Sequence, residues 1–261
     1  MTPSTVYGIN QLPEAQMRQI YTRLIPPKLI EHFHLIPELV DEQGNNLVKL
    51  NCQPGCAVAE MSVFHQVGFR DPILYGHLTD TLAGQIHILL YVLNDVHSPR
   101  YDIDFLEDGT ETQYGTSYRN IPAEQEAFQA GLAPGQVRRG LRMLGEAIHA
   151  FEIFVDSLGH NLYFAEPLFY HNAVLFERYG FNYLKGRKIM ERIQAGFSEG
   201  GDLLGLADGV SIFRQPDSDC SIRLRSWAIH DGIMGEPFTD VTMYKEVGKT
   251  FGINTCPNCV W

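Results

Sequence analysis

The sequence predicts an α+β fold with a mixed, mostly antiparallel central sheet flanked by helices. Three observations carry this reading. Strand-like runs succeed one another from about Leu47, with links too short for parallel crossovers. Helix-like and strand-like segments then alternate between residues 135 and 184, as a sheet covered by helices requires. No Pro-, Gly- or Ser-rich linker divides the 261 residues, so a single α+β domain is expected.

Residues 1–46 read as N-terminal helices. Met17, Ile20 and Leu24 recur at helical spacing within Pro13–Leu24. Pro26 and Pro27 end that helix, and Pro27 suits the first turn of a second one carrying Leu29, Ile30 and Phe33. Residues 47–105 form the antiparallel meander: LVKLN, AVAEMSVFH, PILYGHLTD and GQIHILLYVLND, with YDIDF (Tyr101–Phe105) as a further strand. The run from Gly84 is apolar on both faces, the pattern of a central strand.

Glu107 to about Pro134 is polar and reads as a long loop with a helical turn near Ala123–Ala130. Val137, Leu141, Leu144, Ile148, Phe151 and Leu158 mark the stripe of a long helix closed by Gly159. NLYFAEP reads as a strand, His171–Tyr179 as a helix and FNYLKG as a strand. The C-terminal extension, residues 185–261, is expected to hold a helix over Arg187–Phe197 and two strands, SIRLRSWAIH and FTDVTMYK.

Lys and Arg number 20 against 31 Asp and Glu, a formal net charge of −11. Such a surface repels phosphate backbones, so the expected partners are small molecules, an amine among them, rather than nucleic acid or membrane. The N-terminus lacks the basic and apolar stretches of a secretory signal, and no run approaches twenty apolar residues. A cytoplasmic location with reduced cysteines is the expectation.

The segment 135–184 carries the most specific signal. GQVRRGLRMLGEAIHAFEIFVDSLGHNLYFAEPLFYHNAVLFERYGFNYL places three arginines around a glycine before a helix. A helix N-terminus offers unpaired N–H groups and positive dipole to a phosphate, and glycine allows close approach. This stretch resembles the second half of the GNAT (GCN5-related N-acetyltransferase) fold, and Phe176–Phe181 (FERYGF) resembles that family's Tyr-Glu-x-x-Gly-Phe ending. The resemblance implies acetyl-CoA or another acyl-CoA as cofactor, held by Arg138, Arg139, Gly140 and Arg142, and acyl transfer to an amine. The family motif has Gln or Arg three residues before the glycine and Gly or Ala two after it; Val137 and Arg142 stand there in this chain. Phe176 stands where the family often has a general-acid Tyr.

Acyl transfer to an amine needs a proton acceptor and a proton donor for the departing sulfur. Tyr170 and Tyr179 flank the short helix as donor candidates. Glu60 and His65 are acceptor candidates on one strand, and their opposite parity allows only one to serve. Two other readings stand beside this one. The fold could serve a non-catalytic binding protein with a degraded cofactor turn. It could also hold metal, through Cys52-Gln-Pro-Gly-Cys56 with Cys256-Pro-Asn-Cys259 as a tetrahedral zinc site, or through His65, His77, His87, Asp102 and Asp104 of the meander. Cys-x-x-Cys alone is also a redox motif.

Overall fold

A computed structural model describes residues 3–261. Three short helices open the chain: α1 (Val6–Ile9), α2 (Glu14–Tyr21) and α3 (Pro27–His32). The strands β1 (Val48–Asn51), β2 (Val58–Val63), β3 (Leu74–Asp80) and β4 (Ile86–Leu93) follow. Then come α4 (Ile121–Gln129), α5 (Leu144–Ser157), β5 (Leu162–Ala165), α6 (Tyr170–Arg178) and β6 (Asn182–Lys185). The chain continues through α7 (Arg187–Gly196), α8 (Asp202–Gly205), α9 (Ile222–His230) and β7 (Thr242–Glu246).

The seven strands form one open sheet in the order β1-β2-β3-β4-β5-β7-β6. β1 to β4 pair antiparallel, and β4 pairs β5 in parallel. The α+β fold with a mostly antiparallel sheet is therefore as the sequence predicts. No helix among the described residues is long and apolar enough to cross a membrane.

The chain divides into two compact units, each drawn from three separate stretches, which is why no linker announces the division. The first unit runs up to Val96 and includes Gly140–Glu166 and Tyr244–Thr250. Its core lies on one face of the meander, where Ala59, Met61, Val63, Leu74 and Leu78 are buried in alternation. The aromatic rings of α2 and α5 pack over that face. Tyr21 and Phe154 lie 6.3 Å apart, and Phe151 and Tyr91 4.7 Å apart. The Asp80 carboxylate accepts the backbone N–H groups of Val6 at 2.7 Å and Tyr7 at 2.8 Å, fixing the start of α1 to the end of β3.

The second unit comprises His97–Arg139, Pro167–Met243 and Phe251–Trp261. Trp227 of α9 is fully buried, stacks on Phe213 at 4.9 Å and donates from Nε1 to the Leu132 carbonyl at 2.8 Å. A smaller cluster joins Ile103, Ala127, Leu132 and Val137.

Three elements differ from the sequence reading. SIRLRSWAIH is helix α9, not a strand. Nearly every residue of it is buried, so it lacks the amphipathic period of a surface helix, while Ser221 caps its start by accepting from Leu224 N–H at 3.2 Å. YDIDF is not a strand: its only ladder contact is an isolated bridge from Phe105 to Glu111, and Arg100 holds both Asp102 and Asp104. The long helix starts at Leu144 rather than near Val137, because Val137 belongs to the second unit's apolar cluster and Arg142 adopts a left-handed φ of 57°.

Asn10 is the buried polar tie of the first unit. Its Nδ2 donates to the carbonyls of Cys56 at 2.8 Å and Val58 at 3.0 Å, and its Oδ1 accepts from the Tyr21 hydroxyl at 2.7 Å. Asn10→Ala strands all three groups, each unsatisfied buried group costing about 1–3 kcal/mol. We expect urea unfolding to register a loss of about 3 kcal/mol, and a loss below about 1 kcal/mol would mean that water replaces the amide.

Candidate functional site

The candidate site grows from an irregularity in β4. On β3, His77 faces Leu90 and its neighbour Leu78 faces Ile88, so Leu89 is an extra residue, a β-bulge. β5 follows β4 for only two residue pairs, His87↔Phe164 and Ile88↔Ala165. A last bond runs from Glu166 N–H to the Ile88 carbonyl at 3.1 Å, and the next residue, Pro167, has no N–H to continue the ladder. The two strands therefore stop pairing at the residue before the bulge. Farther along β4, the Leu93 carbonyl accepts from Leu141 N–H at 3.3 Å, and Asn94 bridges Gly140.

Gly140 thus ties the basic turn to the end of β4. Arg142 follows in its left-handed conformation, and α5 begins two residues later. Met143, the residue before the helix, provides no side-chain cap to the first-turn N–H groups. The Arg142 side chain is exposed and makes no hydrogen bond among the described residues. In the second unit, Arg138 donates to the Ser98 carbonyl, whereas Arg139 uses only its backbone N–H, on Ser98 Oγ at 3.2 Å. The Arg139 guanidinium is exposed and uncommitted among the described residues.

The acid–base candidates fall in different surroundings. Glu60 faces His77 across the β2–β3 ladder and accepts from Asn51 Nδ2 at 3.1 Å. His87 faces Thr79, two residues along β3 from His77, so Glu60, His77 and His87 share the sheet face opposite the core. His65 lies beyond the end of β2, its ring packed 4.5 Å from Phe69 and 5.9 Å from Phe33.

Glu166 is a residue that sequence reading does not single out. Its Oε2 lies 3.9 Å from His87 Nε2, an atom that is buried and makes no hydrogen bond. Burial holds the His87 pKa below the ordinary imidazole value, with Glu166 pulling the other way. The only sequence signal for this pair is a carboxylate between a short strand and a proline.

Both tyrosine candidates belong to the second unit. Tyr170 is buried, its hydroxyl 3.4 Å from Arg225 Nη1, and burial raises its pKa. Tyr179, just past α6, is 39% exposed. Cys256 and Cys259 are joined by a disulfide rather than reduced, while Cys52 and Cys56 are free thiols of the first unit. Among the described residues, no three His, Cys, Asp or Glu side chains form a group able to hold a metal ion. Asp102 and Asp104 are occupied by Arg100.

The second unit also buries a polar cluster. Glu124 accepts from Arg119 Nε at 2.8 Å and Nη2 at 2.6 Å, and its Oε1 lies 2.9 Å from His230 Nε2. Asp231 pairs with Arg119 at 3.0 Å and Arg214 at 2.8 Å. Gly115, at φ 83°, passes so close that a Cβ there would lie 2.8 Å from Glu124 Oε1. No family model matches the chain, and no curated protein or solved structure is significantly similar to it.

His171, buried beside Ser226 Oγ at 2.9 Å, has its pKa lowered to about 3 by burial, with His230 adding to the effect. Below about pH 6.5 the unfolded chain protonates this histidine and the folded chain does not, so stability falls with pH down to about 3. The slope approaches about 1.4 kcal/mol per pH unit. Urea unfolding at pH 6.5 and 4.5 should show the native chain losing about 2 kcal/mol more than His171→Gln. Equal losses would locate the acid sensitivity elsewhere.

Proposed function

We propose that this chain is an N-acyltransferase that moves an acyl group from an acyl-coenzyme A to a small-molecule amine. The observation that carries the reading is the end of β4–β5 pairing beside the Leu89 bulge, in a sheet ordered β1-β2-β3-β4-β5-β7-β6. A sheet whose β4–β5 pairing ends near an uncapped helix suits a long, thin cofactor with a pyrophosphate at one end. The donor chemistry fits: Arg139 and Arg142 are exposed and uncommitted among the described residues, and the first turn of α5 has no side-chain cap. Gly140 and the α5 amides complete the set that would hold the phosphates.

The cofactor would supply an activated thioester; the chain's own residues manage the proton. His87 suits the acceptor role better than Glu60 or His65. Burial keeps it neutral near pH 7, its Nε2 is not hydrogen-bonded, and Glu166 can stabilise the imidazolium once formed. Glu60 is engaged by Asn51, and His65 is packed between the rings of Phe33 and Phe69. Of the two tyrosines, both in the second unit, Tyr179 is the more exposed.

One observation favours the second reading, a non-catalytic binding protein: Tyr170 is buried against Arg225, and Phe176 carries no hydroxyl. Isothermal titration with acetyl-coenzyme A and coenzyme A separates the cases. Binding should raise stability by about 2.7 kcal/mol at a hundredfold excess over the dissociation constant. Arg139→Ala should weaken binding by about 1.5–3 kcal/mol. Arg142→Gly should weaken binding too, yet raise the stability of the unliganded chain by up to about 1 kcal/mol, because glycine relieves the left-handed strain. No binding at millimolar cofactor sinks the proposal, and binding without turnover on an amine panel supports the non-catalytic reading.

A further inference from the structure

Arg225 is the largest buried charge without an opposite charge beside it. It lies in the middle of α9, is 1% exposed, and pairs with no carboxylate among the described residues. Its Nε donates to the Ser218 carbonyl at 3.1 Å and its Nη2 to the Asp219 carbonyl. Nη1 reaches Gln194 Oε1 at 2.8 Å and Tyr170 Oη at 3.4 Å, and the guanidinium lies over the Phe197 ring at 5.2 Å. The remaining contact is the informative one: Nη1 lies 3.0 Å from Cys256 Sγ. A buried guanidinium surrounded by neutral acceptors is costly, and an anion at that sulfur would offset the cost.

Cys256 is half of the disulfide to Cys259, and the two sulfurs are not equivalent. Cys256 is fully buried, whereas Cys259 is 6% exposed. The backbone around them is fixed independently of the bond. Glu177 accepts from Thr255 N–H and Oγ1, each at 2.8 Å, Arg178 donates to the Cys259 carbonyl at 2.5 Å, and Val260 N–H donates to the Cys220 carbonyl at 2.8 Å. Opening the disulfide therefore leaves Cys256 anchored beside Arg225. Arg225, Arg178, Tyr170, Glu177, Tyr183, Asp219 and Cys220 are among the charged and titratable groups around the pair.

We propose that Cys256 and Cys259 form a redox-active pair, in which Arg225 holds Cys256 as a thiolate whenever the disulfide is reduced. A thiolate of a small dithiol attacks the sulfur of Cys259, the less buried residue of the two. A bond forms between the reductant and Cys259, the Cys256–Cys259 bond breaks, and the electron pair leaves on Cys256 beside the guanidinium. An acidic leaving thiol speeds this step. The dithiol's second thiolate then attacks the reductant sulfur of the mixed disulfide, closing the reductant's own disulfide and expelling Cys259, which takes up a proton. The chain gains two electrons and the dithiol loses two. Of the dithiol's two protons, one ends on Cys259 and the other goes to solvent.

The test uses the full chain equilibrated in mixtures of reduced and oxidised dithiothreitol. Alkylation and peptide mass spectrometry read Cys256 and Cys259, and thiolate ultraviolet absorbance is followed against pH. Burial pushes Cys52 up to about 11 and the neighbouring Asp219 raises Cys220, and a C56S background removes the remaining free thiol from the window. Reduced protein should keep one thiolate down to about pH 6, over a hundredfold more acidic than an ordinary thiol. R225Q should abolish that thiolate and shift the equilibrium about tenfold toward the disulfide, about 30 mV. R225K, which keeps the charge but not the fork, should restore most of it, an outcome that a packing role would not give. Should both variants fail to fold, C259S keeps Arg225 in place, and a thiolate at pH 7 supports the proposal. Its absence in C259S, reduced thiols that all titrate above about pH 8, or a disulfide that dithiol opens only in denaturant each overturns it.

Discussion

Leu89 has no partner on β3, and the packing of the first unit depends on that one unpaired residue. Side chains along a strand alternate between faces, so Ile86 and Ile88 point to the core and a regular strand would send Leu90 there next. The extra residue shifts the count. Leu90 joins His77 on the opposite face, and Tyr91, opposite Gly76, turns to the core. Only in that position can the Tyr91 ring meet Phe151 of α5 and its hydroxyl donate to the Leu24 carbonyl at 3.1 Å. A bulge also bends and twists its strand locally. The same residue that brings Tyr91 under α5 also stands just past the last β4–β5 pair, at the level where Pro167 ends the ladder.

The second unit is organised by buried charge, handled in three ways. Glu124 meets Arg119 directly, an ion pair extended by His230, Asp231 and Arg214, so its charge is compensated where it sits. Glu177 has only neutral donors, the Tyr183 hydroxyl at 2.5 Å and two groups of Thr255, which place the C-terminal segment against α6. Arg225 has only neutral acceptors and a sulfur. Hydrogen bonds of this kind satisfy geometry but leave net charge in a medium of low polarity. The pairing of Glu124 is a matter of structure; the isolation of Arg225 leaves a positive field focused on Cys256.

Much of the fold is legible in the sequence where punctuation is strong. Pro13, Pro26 and Pro27 bracket the helices, and the turns at Pro54-Gly55, Gly68 and Ala83-Gly84 separate strands whose short links force antiparallel pairing. Legibility fails where burial erases the pattern. α9 is apolar or paired nearly all round, so Ile222, Leu224, Ser226 and Ala228 imitate the alternation of a strand. Val137 imitates the stripe of α5 while packing into another unit's cluster. The basic turn around Gly140 is legible because its residues are contiguous. His87 with Glu166, and Arg225 with Cys256, are separated by 79 and 31 residues, and each pair depends on register or helix placement that no local pattern records.

The two buried histidines show why placement, rather than residue type, decides chemistry. Desolvation lowers both pKa values, so both are neutral near pH 7. His171 is fully enclosed, its Nδ1 against Ser226 and its ring between Phe169, 5.8 Å away, and Trp261, 5.9 Å away. Protonating it buries a charge that His230 opposes. His87 is buried only in part, at the last β4–β5 pair before the bulge, and its free Nε2 faces a half-exposed carboxylate. A proton arriving there is met by the opposite charge of Glu166 and can pass on to solvent. A histidine that burial keeps neutral but a carboxylate can rescue once charged is suited to take and release protons; one that burial alone controls is suited to hold a core together.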